Sequence, residues 1–188
     1  MLLYCRRPDT EQITDLVHGA RWLPFTYPEV GATAKDLPPG YNIDRNEVVL
    51  GEGAEVFRKA VNALAGWKMF AIPWLSVHPP CPRIEAGTTL AILASHFGLW
   101  SLNPCRIVYT IDTADVFGFA YGTLWGHAEI GEERFTVEID QNSDKVRYRI
   151  LAFSKPGFPA RLIGSVARNL QKRFAQDSLA AMTAAVWH

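Results

Sequence analysis

VFGFAYGTLWGHAEIGEERFTVEI, from Val116 to Ile139, reads as two strands joined by the short turn signal LWGH. In the first half Phe117, Phe119, Tyr121 and Thr123 alternate with Gly118, Ala120, Gly122 and Leu124. Alternation with period two places the bulky set on one face of a strand and leaves the other nearly bare. A bare strand face lets a helix, a backbone or a ligand come close. The final helix packing there is the expectation, and a cavity wall is the alternative. In the second half Phe135, Val137 and Ile139 share one parity. His127, Glu129 and Glu133 share it too, unless a bulge at Gly131 shifts the phase. One strand face would then be apolar at one end and carry an imidazole and two carboxylates at the other.

Working outward, further β-branched and aromatic runs surround this pair. They begin at Met69 (MFAIPWLSV, with Pro73 marking an edge or bulge), Thr88 (TTLAILASHF), Cys105 (CRIVYTID) and Lys145 (KVRYRILAFS). Short links such as HFGLW, DTAD and DQNSD join successive strands and predict an antiparallel meander. Asn46–Leu50 reads as a short earlier strand. Glu52–Ala65 reads as a helix, with Val56, Ala60, Val61 and Leu64 at helical spacing and Gly66 as a stop. Asp9–His18 reads as a short helix capped by Asp9 or Thr10. Leu23–Tyr41, rich in Pro, Gly and Thr, reads as irregular chain that packs on the surface or covers something.

After KPGFP a long helix is predicted from about Ala160 to Val186. Leu162, Ile163, Val166, Leu170, Phe174, Leu179, Met182 and Val186 form its stripe, and Arg161, Arg168, Lys172 and Arg173 lie largely off it. A 27-residue amphipathic helix must bury its apolar face, and the sheet is the nearest partner. The expected fold is therefore α+β, a curved antiparallel sheet closed by a long C-terminal helix. Residues 1–188 are expected to form one domain, with 1–40 as an N-terminal extension.

The 188 residues are 48% apolar with no formal net charge, which argues against disorder and against a general nucleic-acid binder. Charge is unevenly spread. Trp125–Lys145 holds six acids and two bases, whereas Lys155–His188 holds five bases and one acid. Two oppositely charged solvated faces account for this. Three scattered cysteines, Cys5, Cys81 and Cys105, suit a reducing cytoplasm better than a disulfide framework. No run approaches the roughly 18 apolar residues of a membrane span, so no stable membrane insertion is expected.

The order of one helix, a meander and a long terminal helix resembles the helix-grip fold of the START-like superfamily. Five segments resemble family 0548 of the UPF series, an uncharacterised protein family of plants and bacteria. They are YNIDRNEVVLGEGAEVF from Tyr41, IEAGTTLAIL from Ile84, WSLNPCRIVY from Trp100, FGFAYGTLWGHAEIGEERF from Phe117 and LQKRFAQDSL from Leu170. The resemblance covers most of the chain from Tyr41 onward. It implies a START-like fold, often with an apolar cavity between sheet and helix, and no established activity.

His127 and Glu129 are the candidate catalytic residues, with the carboxylate orienting the imidazole and raising its pKa. Tyr41, Arg45, Arg106, Tyr109, Phe119, Tyr121, His127, Glu129 and Glu133 are the candidate ligand-binding residues. Arg45 and Arg106, if buried, need carboxylate partners, with Glu85, Glu129, Glu132 and Glu133 available. Known motifs fail. His127-Ala-Glu129 lacks the P-C-x-x-C of zinc deaminases, and His78-Pro-Pro-Cys81 has no second pair of ligands. Gly51-Glu-Gly53 lacks a third glycine, and its acids would repel phosphate. No metal and no cofactor is expected. The expected function is binding of a small, largely apolar molecule between sheet and helix. An enzyme using His127 and Glu129 in the same cavity, or an interaction module whose cavity is filled, are the alternatives. Oligomeric state is left open by the sequence.

Overall fold

The computed structural model describes residues 2–157 and 164–187, with side chains of 164–167 outside the description. The predicted helix positions Arg161, Leu162, Ile163 and Val166 therefore lie outside the described residues and side chains. Strands β1 (Leu2–Tyr4), β2 (Asn42–Glu52), β3 (Leu75–His78), β4 (Thr89–His96), β5 (Leu99–Asp112), β6 (Val116–Thr123), β7 (Glu129–Ile139) and β8 (Lys145–Pro156) form one antiparallel sheet. Helices α1 (Thr10–Ala20), α2 (Ala54–Ala65) and α3 (Gly164–Trp187) complete the fold. The strand order is β2-β8-β7-β6-β5-β4-β3, with β1 beside the first half of β5. The meander from β4 to β8 follows from its short links. β2 closes one edge by pairing with β8, from Asn42 opposite Ser154 to Glu52 opposite Lys145.

The sheet curls, and α2 and α3 occupy its concave side. There Leu50, Phe119, Phe135, Val137, Tyr148 and Ile150 meet Ala60 and Leu64 of α2 and Ala175, Met182 and Val186 of α3. Met182 is fully buried, and Phe174 stacks on Phe70 with ring centroids 5.3 Å apart. Polar anchors fix the helix along its length. Tyr148 Oη and Ser178 Oγ are 2.9 Å apart, Trp74 Nε1 donates to Asp177 at 2.8 Å, and Trp187 Nε1 donates to the Leu50 carbonyl at 2.9 Å. The expected helix-grip architecture is the one found.

The convex side is also covered. Asp9 caps α1 in a capping box with Gln12, and Ile13 and Val17 pack on Ala91, Leu93 and Leu102. The irregular stretch after α1 crosses β6, β7 and β8, burying Tyr27 and Ala32 against Phe153. This corrects the reading of the bare strand face. Gly118, Ala120 and Gly122 point away from α3, because their neighbours Phe119 and Tyr121 lie in the concave core. At Gly122 a Cβ would sit 2.0 Å from Tyr27 Oη, so the missing side chain admits the N-terminal segment rather than a ligand or the last helix.

Other boundaries moved for physical reasons. The run from Met69 is a strand only from Leu75, since Lys68–Phe70 closes a 3-10 turn after Trp67 in the left-handed region. β2 begins at Asn42 and β5 at Leu99, earlier than their apolar cores suggest. No helix among the described residues is long and apolar enough to cross a membrane.

Candidate functional site

A pocket of about 330 Å³ opens between the concave sheet and the first described turns of α3. Its walls are apolar and aromatic: Phe70 and Trp74 from the segment before β3, Leu75, Ile92 and Ala94 from β3 and β4, and Leu170 and Phe174 from α3. Its polar end is formed by Asp44 and Asn46 of β2, Tyr121 of β6, and His127, Glu129 and Glu133 in and before β7.

Register decides this polar end. β7 pairs with β8 without interruption from Glu129 opposite Pro156 to Ile139 opposite Val146, so Gly131 is no bulge. Gly131 has φ +154°, and a Cβ there would lie 2.0 Å from the Phe153 carbonyl oxygen. Glycine thus permits close strand approach while the parity runs through it. Glu129 and Glu133 consequently share the face of Phe135 and Val137, and they line the pocket.

Each group is tuned by burial. Tyr121 Oη donates to Glu133 Oε2 at 2.7 Å. Even so, burial pushes the Glu133 carboxyl up to about 7, with Asp44 and Glu129 adding to the rise and the Tyr121 hydrogen bond opposing it. Burial also lifts Glu129 to about 7, Asp44 adding to the rise while Ser154 and Arg168 restrain it. Glu129 Oε2 is sealed from solvent and has no hydrogen-bond partner among the described residues. Asp44 is taken up by Arg168, whose Nη1 and Nη2 reach its two carboxylate oxygens in a bidentate pair.

His127 corrects an expectation. Its Nδ1 accepts the backbone N–H of Glu129 at 2.9 Å, so the main chain, not the carboxylate, orients the ring. Burial lowers the imidazole to about 4 rather than raising it. With Nδ1 occupied as an acceptor, the neutral ring carries its proton on Nε2.

The structure brings Tyr121, His127, Glu129 and Glu133 together. Phe119 lies deeper in the core, against Trp67 and Phe135. The other four candidates are not at the pocket. Arg45 is exposed on the convex face. Arg106 has no carboxylate partner among the described residues; its Nη2 donates to the carbonyls of Ala20, Arg21 and Leu23 at 2.8–2.9 Å, where the α1 dipole is negative. Tyr109 Oη is 2.7 Å from Thr33 Oγ1, and Tyr41 donates to Glu29 at 2.8 Å while meeting Phe153 edge to face. Glu132 also faces outward and receives Tyr27 Oη at 2.8 Å, the Gly31 N–H at 2.7 Å and the Thr33 N–H at 3.0 Å. Asp44, Asn46, Trp74, Arg168 and Gln171 were missed. Asp44 shares the parity of Leu50 on β2, which is the signal that was available.

Residues 26–181 match the family described as Domain of unknown function (DUF1990). A UPF0548 protein of Dictyostelium discoideum is 33% identical, over 98% of this chain and 96% of its own length. One from Deinococcus radiodurans is 32% identical, over 91% and 94%, and one from Arabidopsis thaliana is 35% identical, over 74% and 70%. Among solved structures, a hypothetical protein of Helicobacter pylori superposes with a TM-score of 0.59 at 18% identity, covering 86% of this chain and 95% of that one. The Zhui aromatase/cyclase of Streptomyces sp. R1128 gives 0.53 at 8% identity, covering 78% and 93%. At such identities the structural likeness speaks for the fold. The family match and the full-length relatives establish that this chain belongs to the UPF0548 family.

Proposed function

We propose that this protein binds a small, largely apolar molecule in the pocket between the sheet and α3. The polar end carries the reading: Glu129 and Glu133 stand together in the wall of an otherwise apolar pocket. Carboxyls in apolar surroundings gain from any donor that a ligand brings to their accessible side. An apolar concavity with a few placed polar groups is the usual anatomy of a small-molecule site. The helix-grip fold supports the reading by analogy alone. A reducing, cytoplasmic setting goes with it, since Cys5, Cys81 and Cys105 are all free thiols.

A second reading, an enzyme working in the same pocket, rests on the two carboxyls near 7, which can take and give protons at neutral pH. In it Glu129 and Glu133 replace His127 as acid and base, because the imidazole is held neutral. The interaction-module reading needs a filled interior and draws no support from an open pocket.

N-phenyl-1-naphthylamine, whose fluorescence rises in apolar surroundings, tests the binding reading. The native protein should give a saturable rise. Ala152→Phe and Ala94→Leu, each adding bulk to the pocket wall, should weaken it while the folded far-UV signal is kept. No saturable signal, or equal binding by native and filled proteins, overturns the reading.

A further inference from the structure

We propose that the ligand's polar head is an amine, received as an ammonium by the carboxylates of Glu129 and Glu133. The inference rests on the binding reading above and names the chemical class of that ligand.

The charges at the polar end lead there. From β2 comes Asp44, from β4 His96, from β6 Tyr121, from β7 and its approach Glu133 and His127, and from α3 Arg168 and Lys172. Arg168 is already engaged by Asp44, and that pair is close to neutral. Lys172 is exposed at the rim, in no ion pair among the described residues. Both histidines have lowered pKa values, burial being the larger cause at each. Glu133 is left with one hydroxyl, from Tyr121, and Glu129 Oε2 with nothing. The pocket thus holds two carboxyls in no ion pair among the described residues, and Arg168, the cation that acts on Glu129, is paired with Asp44.

That arrangement discriminates between head groups. A carboxylate or phosphate head would meet like charge, and the one guanidinium facing it is taken. A hydroxyl head offers one donor and no charge. An ammonium offers three donors and the missing positive charge. Hydrogen bonds to an ionised partner are roughly twice as strong as neutral ones. The cost of burying the carboxyls already shows in their elevated values, and a bound cation reverses it by favouring the ionised form. Phe70, Trp74 and Phe174 supply walls for an aromatic or aliphatic body.

The sign of the pH dependence follows. Below about 7 a carboxyl must release its proton before it can hold an ammonium, so amine affinity should drop about tenfold per pH unit there. From about 8 it should level off, and it should fall again once the pH passes the amine's own pKa and the ammonium is lost. A neutral alcohol has no such requirement.

The test is calorimetric titration of the full chain with 1-naphthylmethylamine, 1-naphthalenemethanol and 1-naphthoic acid, which share one ring system. At pH 8 the amine should bind at least about tenfold tighter than the alcohol, with the acid weakest, as one extra charge-assisted bond implies. Glu129→Gln, nearly isosteric, should remove most of that preference and leave the alcohol little changed; Glu129→Gln with Glu133→Gln should abolish it. Should the alcohol or acid match the amine, the amine inference falls and binding stands. An amine preference that ignores pH, or survives the double variant, overturns the assignment to these carboxylates. If none of the three binds, and N-phenyl-1-naphthylamine fails as well, the binding reading itself falls.

Discussion

Replacing Glu129 by glutamine should stabilise this protein at alkaline pH and leave its stability unchanged in acid. The carboxyl rises from 4.5 to about 7 on folding, chiefly through burial. Between those values the folded chain holds a proton that the unfolded chain has released. Stability of the native protein therefore falls as pH climbs from 4.5 to 7 and is flat on either side, as far as this group is concerned. At about 1.4 kcal/mol per pH unit of displacement the full cost approaches roughly 3 kcal/mol. Access from the pocket and coupling to Glu133 reduce it to about 2 kcal/mol. Glutamine keeps the shape, has no charge to bury, and removes this cost. Urea unfolding of both proteins at pH 4, 6 and 8 isolates the effect, because other titrating groups cancel in the difference. The variant should gain about 2 kcal/mol at pH 8, less at pH 6 and nothing at pH 4. A difference that does not change with pH, or a variant weaker at pH 8, would refute the claim that an uncompensated carboxyl lies in the pocket.

Two further outcomes test the packing. Met182→Ala removes a fully buried side chain of α3 and should cost about 2–5 kcal/mol by denaturant titration, whereas Lys172→Asp, on an exposed position, should cost less than about 1 kcal/mol. Gly122→Ala puts a methyl where Tyr27 Oη lies and should cost about 1–3 kcal/mol, with faster amide hydrogen exchange at Gly31 and Thr33, whose N–H bonds to Glu132 it disturbs.

The sheet was legible because most of its strands alternate and its links are short, so pairing order follows chain order from β4 to β8. β1 was not: three residues, Leu2–Tyr4, acquire strand form only by pairing with Leu102, Ser101 and Trp100. The apolar run at Met69 shows the ambiguity of short hydrophobic stretches, part 3-10 turn and part strand. Parity grouped side chains correctly on β6 and β7, but parity alone does not say which face meets the helix. Gly122 was therefore given to the wrong neighbour, and Tyr109 and Arg106 were placed with a pocket on the opposite side of the sheet. His127, Glu129 and Glu133 were legible as one cluster, since the register passes Gly131 unbroken. The Asp44–Arg168 pair was not, because it joins residues 124 apart that only the curled sheet brings together.

Leu170 shows how the site and the core divide α3. Its spacing places it in the apolar stripe, but it stands half-buried at the pocket edge, while Phe174, Met182 and Val186 pack against the core. A charge at Leu170 is thus expected to alter the pocket more than the fold.

Methyl-resolved NMR during titration with N-phenyl-1-naphthylamine tests the central claim most directly. Leu75, Ile92, Ala94, Ala152 and Ala175 line the pocket from four elements, and their methyls should shift together and saturate at one concentration. Val17, Ala32 and Val49, remote on the convex side or at the sheet edge, should not move. Shifts confined to the convex side, or no saturable shift at the five lining residues, would contradict the account.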